Sequence, residues 1–200
     1  MNAWLAEHAL EVAGVIFSLI YLFLSIRQHI LLWPMGIISA VLYMAVFFRS
    51  KFYADMGLNG YYLLVSTYGW ILWRRGRAGG SGELMVSRVS LRRGILLLGI
   101  TVLAFLLIGL FLDRYTDSPI PYWDALTTAM SFTATWMLAR KILEHWIVWV
   151  VVDLISMGLY LYRELYPTMI LFAIYTTMAL IGYYQWKKNL HLQKSTMPKL

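Results

Sequence analysis

Long apolar segments separated by short polar ones run along the whole chain. Each apolar segment has the length that an α-helix needs to cross about 30 Å of hydrocarbon. Polar and apolar residues do not alternate at every second position, as they would in half-buried strands. The pattern therefore predicts seven membrane-spanning helices, at residues 9–26, 30–48, 54–73, 94–112, 122–139, 146–162 and 167–186.

The composition agrees with an all-α integral membrane protein. Of the 200 residues, 60% are hydrophobic and 14% are charged, whereas soluble domains have about 45–50% apolar and about 25% charged residues. Glu7 and Glu11 flank the first segment where a signal peptide would carry positive charge, so we expect this segment to be retained. The absence of cysteine excludes disulfides, thiolate metal sites and cysteine nucleophiles.

The distribution of positive charge predicts the orientation in the membrane. Of the 17 Lys and Arg residues, four lie on the face that holds the N-terminus and the other 13 lie on the opposite face. Because cytoplasmic loops are enriched in Lys and Arg, we expect the N-terminus outside and the C-terminus in the cytoplasm. Residues 74–93, rich in arginine and glycine, are predicted to form a flexible cytoplasmic linker. Nucleic acid or anionic lipid would also attract these arginines, but orientation explains them without a nucleic-acid partner.

An internal repeat divides the chain. Shifting the sequence by 113 residues aligns the third segment with the seventh without a gap, pairing Tyr62 with Tyr175 and Gly69 with Gly182. A weaker match at an offset of 116 pairs His29 and Trp33 with His145 and Trp149. The alternative is chance coincidence in an aromatic-rich chain.

The repeat predicts two three-helix bundles joined by a linker helix. With one helix between them, both bundles cross the membrane in the same sense, so the repeat axis runs along the membrane normal. We expect a first bundle at 1–73, a basic linker and connector helix at 74–112, a second bundle at 113–188 and a cytoplasmic tail at 189–200. The connector has almost no polar face, so we expect it to contact lipid or a neighbouring copy in a homo-oligomer.

The motif Trp146-x-x-Trp149-x-x-x-Asp153 in the sixth segment is the strongest candidate binding site. A carboxylate at mid-membrane costs about 2.5–3.5 kcal/mol on insertion scales, so Asp153 should face a partner or a wet cavity. The spacing places both tryptophans on its helical face, where two indoles and an acid suit a flat cationic ring. The alternatives are an interfacial aromatic belt for the tryptophans and a structural hydrogen bond for Asp153.

Three further residues are candidate contacts. The amide of Asn59 can both donate to and accept from a heterocycle, and it would serve equally well as a link between helices. Tyr62 and Tyr175, equivalent under the repeat, could stack on a ligand or fill the core.

Catalytic and cofactor motifs are absent from the sequence. It contains no GxxxxGK[ST] loop, HExxH, GxSxG or GxGxxG. All four histidines fall at segment ends or in the tail, where we interpret them as interfacial, and we expect no metal or cofactor. The competing hypotheses to a transporter are a membrane enzyme acting on lipid and a scaffold protein.

Nearly the whole chain, from about residue 12 to 188, resembles the PnuC family of vitamin transporters. The motifs that carry the resemblance are Trp33-Pro34-x-Gly36, Phe52-Tyr53-Ala54-Asp55, Tyr68-Gly69-Trp70, Trp123-Asp124-Ala125 and Glu144-His145-Trp146-Ile147-Val148-Trp149 with Asp153. The resemblance implies a fold like that of full-length SWEET proteins, in the bacterial inner membrane. It also implies that nicotinamide riboside moves by facilitated diffusion and is trapped by a separate cytoplasmic kinase.

The resemblance places the substrate at Trp149, Asp153, Tyr175 and Asn59, and we add Trp146, Tyr62 and Thr176 to the candidate set. Related branches carry thiamine or riboflavin. An aspartate at position 153 suits the cationic rings of nicotinamide riboside and thiamine and argues against riboflavin. Charge does not separate the first two, so thiamine remains an alternative.

Overall fold

Seven α-helices make up most of the part of the chain that the computed structural model describes, which is residues 9–49, 53–78 and 84–196. The helices are α1 (Ala9–Ile26), α2 (Leu32–Arg49), α3 (Tyr53–Ala78), α4 (Leu91–Tyr115), α5 (Pro121–Ala139), α6 (His145–Tyr162) and α7 (Tyr166–Thr196). The predicted count and type of element are therefore confirmed.

The helices extend beyond several of the predicted segment ends. α3 continues past residue 73 to Ala78, and α7 continues past residue 186 to Thr196, into the residues expected to form a tail. Hydropathy predicts only the part of a helix that lies in hydrocarbon. The helix itself continues into water wherever the sequence has good helix formers and no proline.

The chain divides into two compact units, Met1–Leu84 and Met85–Leu200. In the first unit, α2 packs against both α1 and α3. In the second unit, α4 packs against α5, α5 against α6, and α6 against α7. The connector helix α4 is thus grouped with the second unit, while the arrangement of two triplets about a membrane-normal axis remains a prediction.

A tryptophan lying on a glycine joins α2 to α3 in the first unit. The Trp33 side chain is fully buried, and a Cβ atom added to Gly69 would overlap its six-membered ring. The ring also meets the edge of Trp73 at 5.4 Å between centroids, with the two planes perpendicular. Glycine at position 69 therefore lets the α3 backbone approach the indole closely.

The same contact joins α6 to α7 in the second unit. Trp146 is 1% exposed, and a Cβ atom on Gly182 would lie 2.6 Å from its ring. Trp186 meets Trp146 edge to face, at 5.9 Å and 83°. The two units thus repeat one packing device.

These contacts correct the repeat register at α2 and α6. The packing equivalent of Trp33 is Trp146, 113 residues later, so the 116-residue match of Trp33 with Trp149 is wrong. Two left-handed residues keep the same offset: Gln28 has φ 55° between α1 and α2, and Lys141 has φ 52° between α5 and α6. The sequence match at an offset of 116 rests on residue identities. Because the chain is rich in aromatic residues, such identities occur at more than one offset.

The helix α4 exposes most of its apolar surface, as expected of a connector. Its packed side contacts α5 through a 2.6 Å hydrogen bond between the Thr101 and Thr133 hydroxyls and through Gly109, which lies against the Tyr122 ring. Within the described residues, α4, α6 and α7 are long and apolar enough to cross a membrane, and Ile16–Ile26 and Leu32–Phe48 form shorter apolar helices.

We predict that Gly69→Ala and Gly182→Ala each destabilise the protein by about 1–3 kcal/mol, because the added methyl group overpacks a buried indole. Gly60→Ala is the matched control, since nothing lies within 4 Å of a Cβ atom there. Thermal unfolding in detergent measures the effect. Equal melting temperatures for all three variants would show that the indole contacts do not hold the helix pairs together.

Candidate functional site

Asp153 is a buried acid on α6, with 4% of its surface exposed. No other residue in the described part of the chain forms a hydrogen bond or an ion pair with its side chain. A structural hydrogen bond, the alternative drawn from the sequence, is therefore not observed among those residues. Such a group is costly in a membrane helix and marks a candidate functional site.

Trp149 and Ser156 lie on the same face of α6 as Asp153. They precede and follow it by four and three residues, the spacings that bring side chains together on one side of a helix. Ser156 is buried and Trp149 is half-buried. The part of Trp149 that remains exposed leaves ring surface available for stacking.

Two predicted site residues lie on α7, within the same unit. Tyr175 is half-buried and meets Phe172 edge to face, with 5.7 Å between ring centroids. Phe172 in turn lies 5.2 Å from the ring of Tyr160 on α6. The Thr176 hydroxyl donates a 2.9 Å hydrogen bond to the Phe172 carbonyl oxygen and keeps its acceptor lone pairs. Phe172 was absent from the predicted set because an isolated phenylalanine in an apolar helix carries no signal.

Trp146 occupies a packing position between α6 and α7. Its ring is enclosed by Gly182, Trp186 and His145, and its buried indole N–H has no hydrogen-bond partner in the described part of the chain. The interpretation of Trp146 as part of an interfacial aromatic belt and its pairing with Trp149 in a binding site both require an accessible Trp146 ring. Trp146 presents almost no surface to a ligand or to the membrane interface.

His145 is fully buried, so its interpretation as an interfacial residue is wrong. Its Nδ1–H donates a 2.7 Å hydrogen bond to the Ile142 carbonyl oxygen. The ring lies 4.6 Å from Trp146 and 4.7 Å from Trp186. The turn before α6 folds this residue into the core. The position of His145 at a segment end does not reveal this burial. The described residues contain no group of three His, Cys, Asp or Glu side chains that would hold a metal ion.

Asn59 and Tyr62 lie on α3 in the first unit. Asn59 is buried, with 8% of its surface exposed, and Tyr62 is half-buried. The rings of Tyr61 and Tyr62 meet at 5.9 Å. Tyr62 and Tyr175 are therefore alike in burial as well as in repeat position, each in its own unit.

A polar cluster lies between α1, α2 and α3 in the first unit, and its residues are not among the predicted site residues. A Cβ atom on Gly36 would lie 3.0 Å from both the Ser66 hydroxyl and the Tyr21 ring. Ser18 and Ser39 share a hydrogen bond of 3.3 Å between α1 and α2. The sequence already shows these small and polar residues at helical spacing, but such spacing is equally typical of plain helix packing and does not by itself mark a binding site.

Comparison with known proteins places the chain in a family. Residues 8–188 match the family model described as "Nicotinamide mononucleotide transporter". The chain is 23% identical over 201 residues to the nicotinamide riboside transporter PnuC of Escherichia coli, covering 88% of this chain and 84% of the relative. It is 25% identical over 182 residues to the riboflavin/roseoflavin transporter RibM of Streptomyces davaonensis, covering 88% and 83%.

The fold has a counterpart of known structure. The crystal structure of the vitamin B3 transporter PnuC superposes with a TM-score of 0.74 at 21% sequence identity, covering 95% of this chain and 85% of that one. The apolar helices and this likeness make the chain a multi-pass membrane protein. Because the family match extends over residues 8–188, the chain belongs to the nicotinamide mononucleotide transporter family, which confirms the resemblance seen in the sequence.

Proposed function

We propose that this protein carries nicotinamide riboside across the membrane. The observation that supports this most is the buried Asp153 carboxyl, which has no ion-pair partner among the described residues and lies one helical turn from the half-buried Trp149. The relative in Escherichia coli is named for transport of this compound.

The proposed recognition rests on the positive charge of the nicotinamide ring. The Asp153 carboxylate offsets that charge, and the Trp149 ring stacks on the flat cation. A desolvated cation–π contact contributes about 2 kcal/mol. Tyr175 and Thr176 on α7 supply further contacts, the tyrosine through its ring and the threonine through its free acceptor lone pairs.

Trp146 has a different role in this proposal. Its burial against Gly182 and Trp186 makes it a positioning residue that fixes α6 on α7. In the first unit, Asn59 and Tyr62 remain candidate contacts in this proposal, the amide through hydrogen bonding and the phenol through stacking.

The charge of the substrate separates it from riboflavin, the second candidate. One relative, RibM, is named for riboflavin and roseoflavin. The flavin ring is neutral, so it would leave the Asp153 carboxylate without a charge partner in the membrane. Thiamine satisfies the charge requirement, but none of the relatives described above is named for it.

The proposed mode of transport is facilitated diffusion, with trapping by a separate cytoplasmic kinase. The sequence has no nucleotide-binding loop for direct use of ATP. We place the protein in the bacterial inner membrane, and the excess of Lys and Arg on one face supports an orientation with the N-terminus outside and the C-terminus in the cytoplasm. The family is one of transporters, and we propose no enzymatic activity.

We predict that Trp149→Ala and Asp153→Ala each weaken nicotinamide riboside binding at least tenfold. The first change removes a stacking surface worth about 2 kcal/mol, and the second removes the charge partner of the ring. Isothermal titration of purified protein measures both. Asp124→Asn is the matched control, because the Asp124 carboxylate already accepts a 2.6 Å hydrogen bond from Ser118 and should leave the affinity unchanged.

Full-strength binding by both alanine variants would overturn the site assignment. A loss of the same size in Asp124→Asn would show that any change of acidic charge has the effect.

We predict that proteoliposomes enclosing a riboside kinase and ATP accumulate labelled nicotinamide riboside without an ion gradient. Vesicles without the kinase should only equilibrate the compound, because facilitated diffusion follows the concentration gradient. Filter uptake assays measure both, with protein-free vesicles as the control. Accumulation that requires an imposed pH gradient in the absence of kinase would contradict facilitated diffusion and indicate proton coupling.

A further inference from the structure

The residues before α4 are held in place, although the sequence predicts a flexible linker there. The Ser87 N–H donates to the Lys141 carbonyl oxygen, and the Leu143 N–H donates to the Ser87 carbonyl oxygen, both at 2.9 Å. These two bonds attach Ser87 to the turn between α5 and α6. The prediction of flexibility rests on the arginine and glycine content of residues 74–93, and it does not hold for residues 85–90.

Contacts on either side of Ser87 strengthen this attachment. The Val86 side chain is 4% exposed, and its N–H donates to the Gln193 side-chain oxygen on α7 at 3.2 Å. The Val89 N–H donates to a Glu144 carboxylate oxygen at 2.9 Å. We call residues 85–90 the docked segment.

The docked segment fixes the position of an exposed arginine. Arg88 lies between Ser87 and Val89, whose backbones are both hydrogen-bonded to the α5–α6 region. Arg92 and Arg93 follow in the first turn of α4, and all three arginines are exposed. Within the described parts of the chain, none of the three guanidinium groups has an ion-pair partner. Their charge is therefore available to an anion.

An exposed apolar surface continues from these charges along α4. Leu91, Ile95 and Leu98 are exposed by 81%, 63% and 65%. Their spacing places them along one side of the helix. The same helix is one of those long and apolar enough to cross a membrane. A ligand that matches both features has an anionic head and long apolar chains.

We propose that Arg88, Arg92 and Arg93 bind the headgroup of an anionic phospholipid whose acyl chains lie along α4. Basic residues at a membrane surface attract anionic lipid electrostatically, and guanidinium groups bind phosphate oxygens by paired hydrogen bonds. The orientation rule explains why positive charge lies at this end of α4. It does not require that the backbone around Arg88 be fixed by hydrogen bonds just before the exposed apolar surface of α4. The proposal stands whatever substrate the protein carries.

Native mass spectrometry of the purified protein, titrated with phosphatidylglycerol or phosphatidylcholine, tests this proposal. We expect a saturable phosphatidylglycerol adduct with the unchanged protein. A near-surface arginine contributes about a fivefold gain in affinity, so the triple variant Arg88→Gln/Arg92→Gln/Arg93→Gln should bind phosphatidylglycerol more than tenfold more weakly.

The matched control is Arg74→Gln/Arg75→Gln/Lys188→Gln, which removes the same charge from exposed positions on the same predicted face. Its affinity for phosphatidylglycerol should stay within twofold of the unchanged protein. Equal loss in both triple variants, or equal binding of the two lipids, would overturn the proposal. Binding of soluble glycerol phosphate as tight as that of the lipid would overturn it too, by showing a site for free phosphate.

A single substitution covers the case in which the triple variant does not fold. Arg88→Gln alone is expected to weaken phosphatidylglycerol binding about fivefold, because the docked segment fixes the backbone at Arg88 just before the exposed apolar surface of α4. Unchanged affinity in a folded Arg88→Gln protein would contradict the role of the docked segment.

Discussion

A carboxyl group within a membrane helix requires a partner that offsets its charge. Asp153 is buried, and no described residue forms an ion pair with it. An isolated carboxylate in an apolar surrounding is unfavourable unless a cation or hydrogen-bond donors offset its charge. A passing cationic substrate meets this requirement only while it is bound, so the acid favours binding without holding the compound permanently. In the site that we propose, the half-buried Trp149 on the same helical face supplies the apolar part.

Precise placement of that acid depends on how α6 packs against α7. No interhelical hydrophobic effect operates in lipid, so close backbone approach and ring packing hold helices together. Trp146 on Gly182 provides this contact, and Trp33 on Gly69 provides the equivalent contact in the first unit. The tryptophan motif of α6 therefore has two functions in one short sequence. Trp146 fixes the helix, and Trp149 and Asp153 present the binding surface that we propose.

The sequence predicts helices well here because bilayer thickness imposes a fixed length on every span. It fails where side chains must be assigned to a partner. Trp146 and Trp149 look alike in a helical wheel, and only the structure shows that Trp146 packs on a glycine of another helix. The position of His145 at a segment end predicts an interfacial residue, yet the turn before α6 folds it inward. The docked segment escaped prediction because its bonds join residues far apart in the chain, such as Val86 and Gln193.

We propose a vitamin-like compound as the substrate, and the acidic charge at position 153 favours a cationic one within that proposal. Relatives named for nicotinamide riboside and for riboflavin have similar identity to this chain, so overall similarity does not separate the two compounds. Parallel isothermal titration of the purified protein with nicotinamide riboside, thiamine and riboflavin tests whether the acid at position 153 selects a cationic ring. We expect saturable binding of nicotinamide riboside at least tenfold tighter than that of riboflavin. Riboflavin binding as tight as, or tighter than, that of nicotinamide riboside would contradict it.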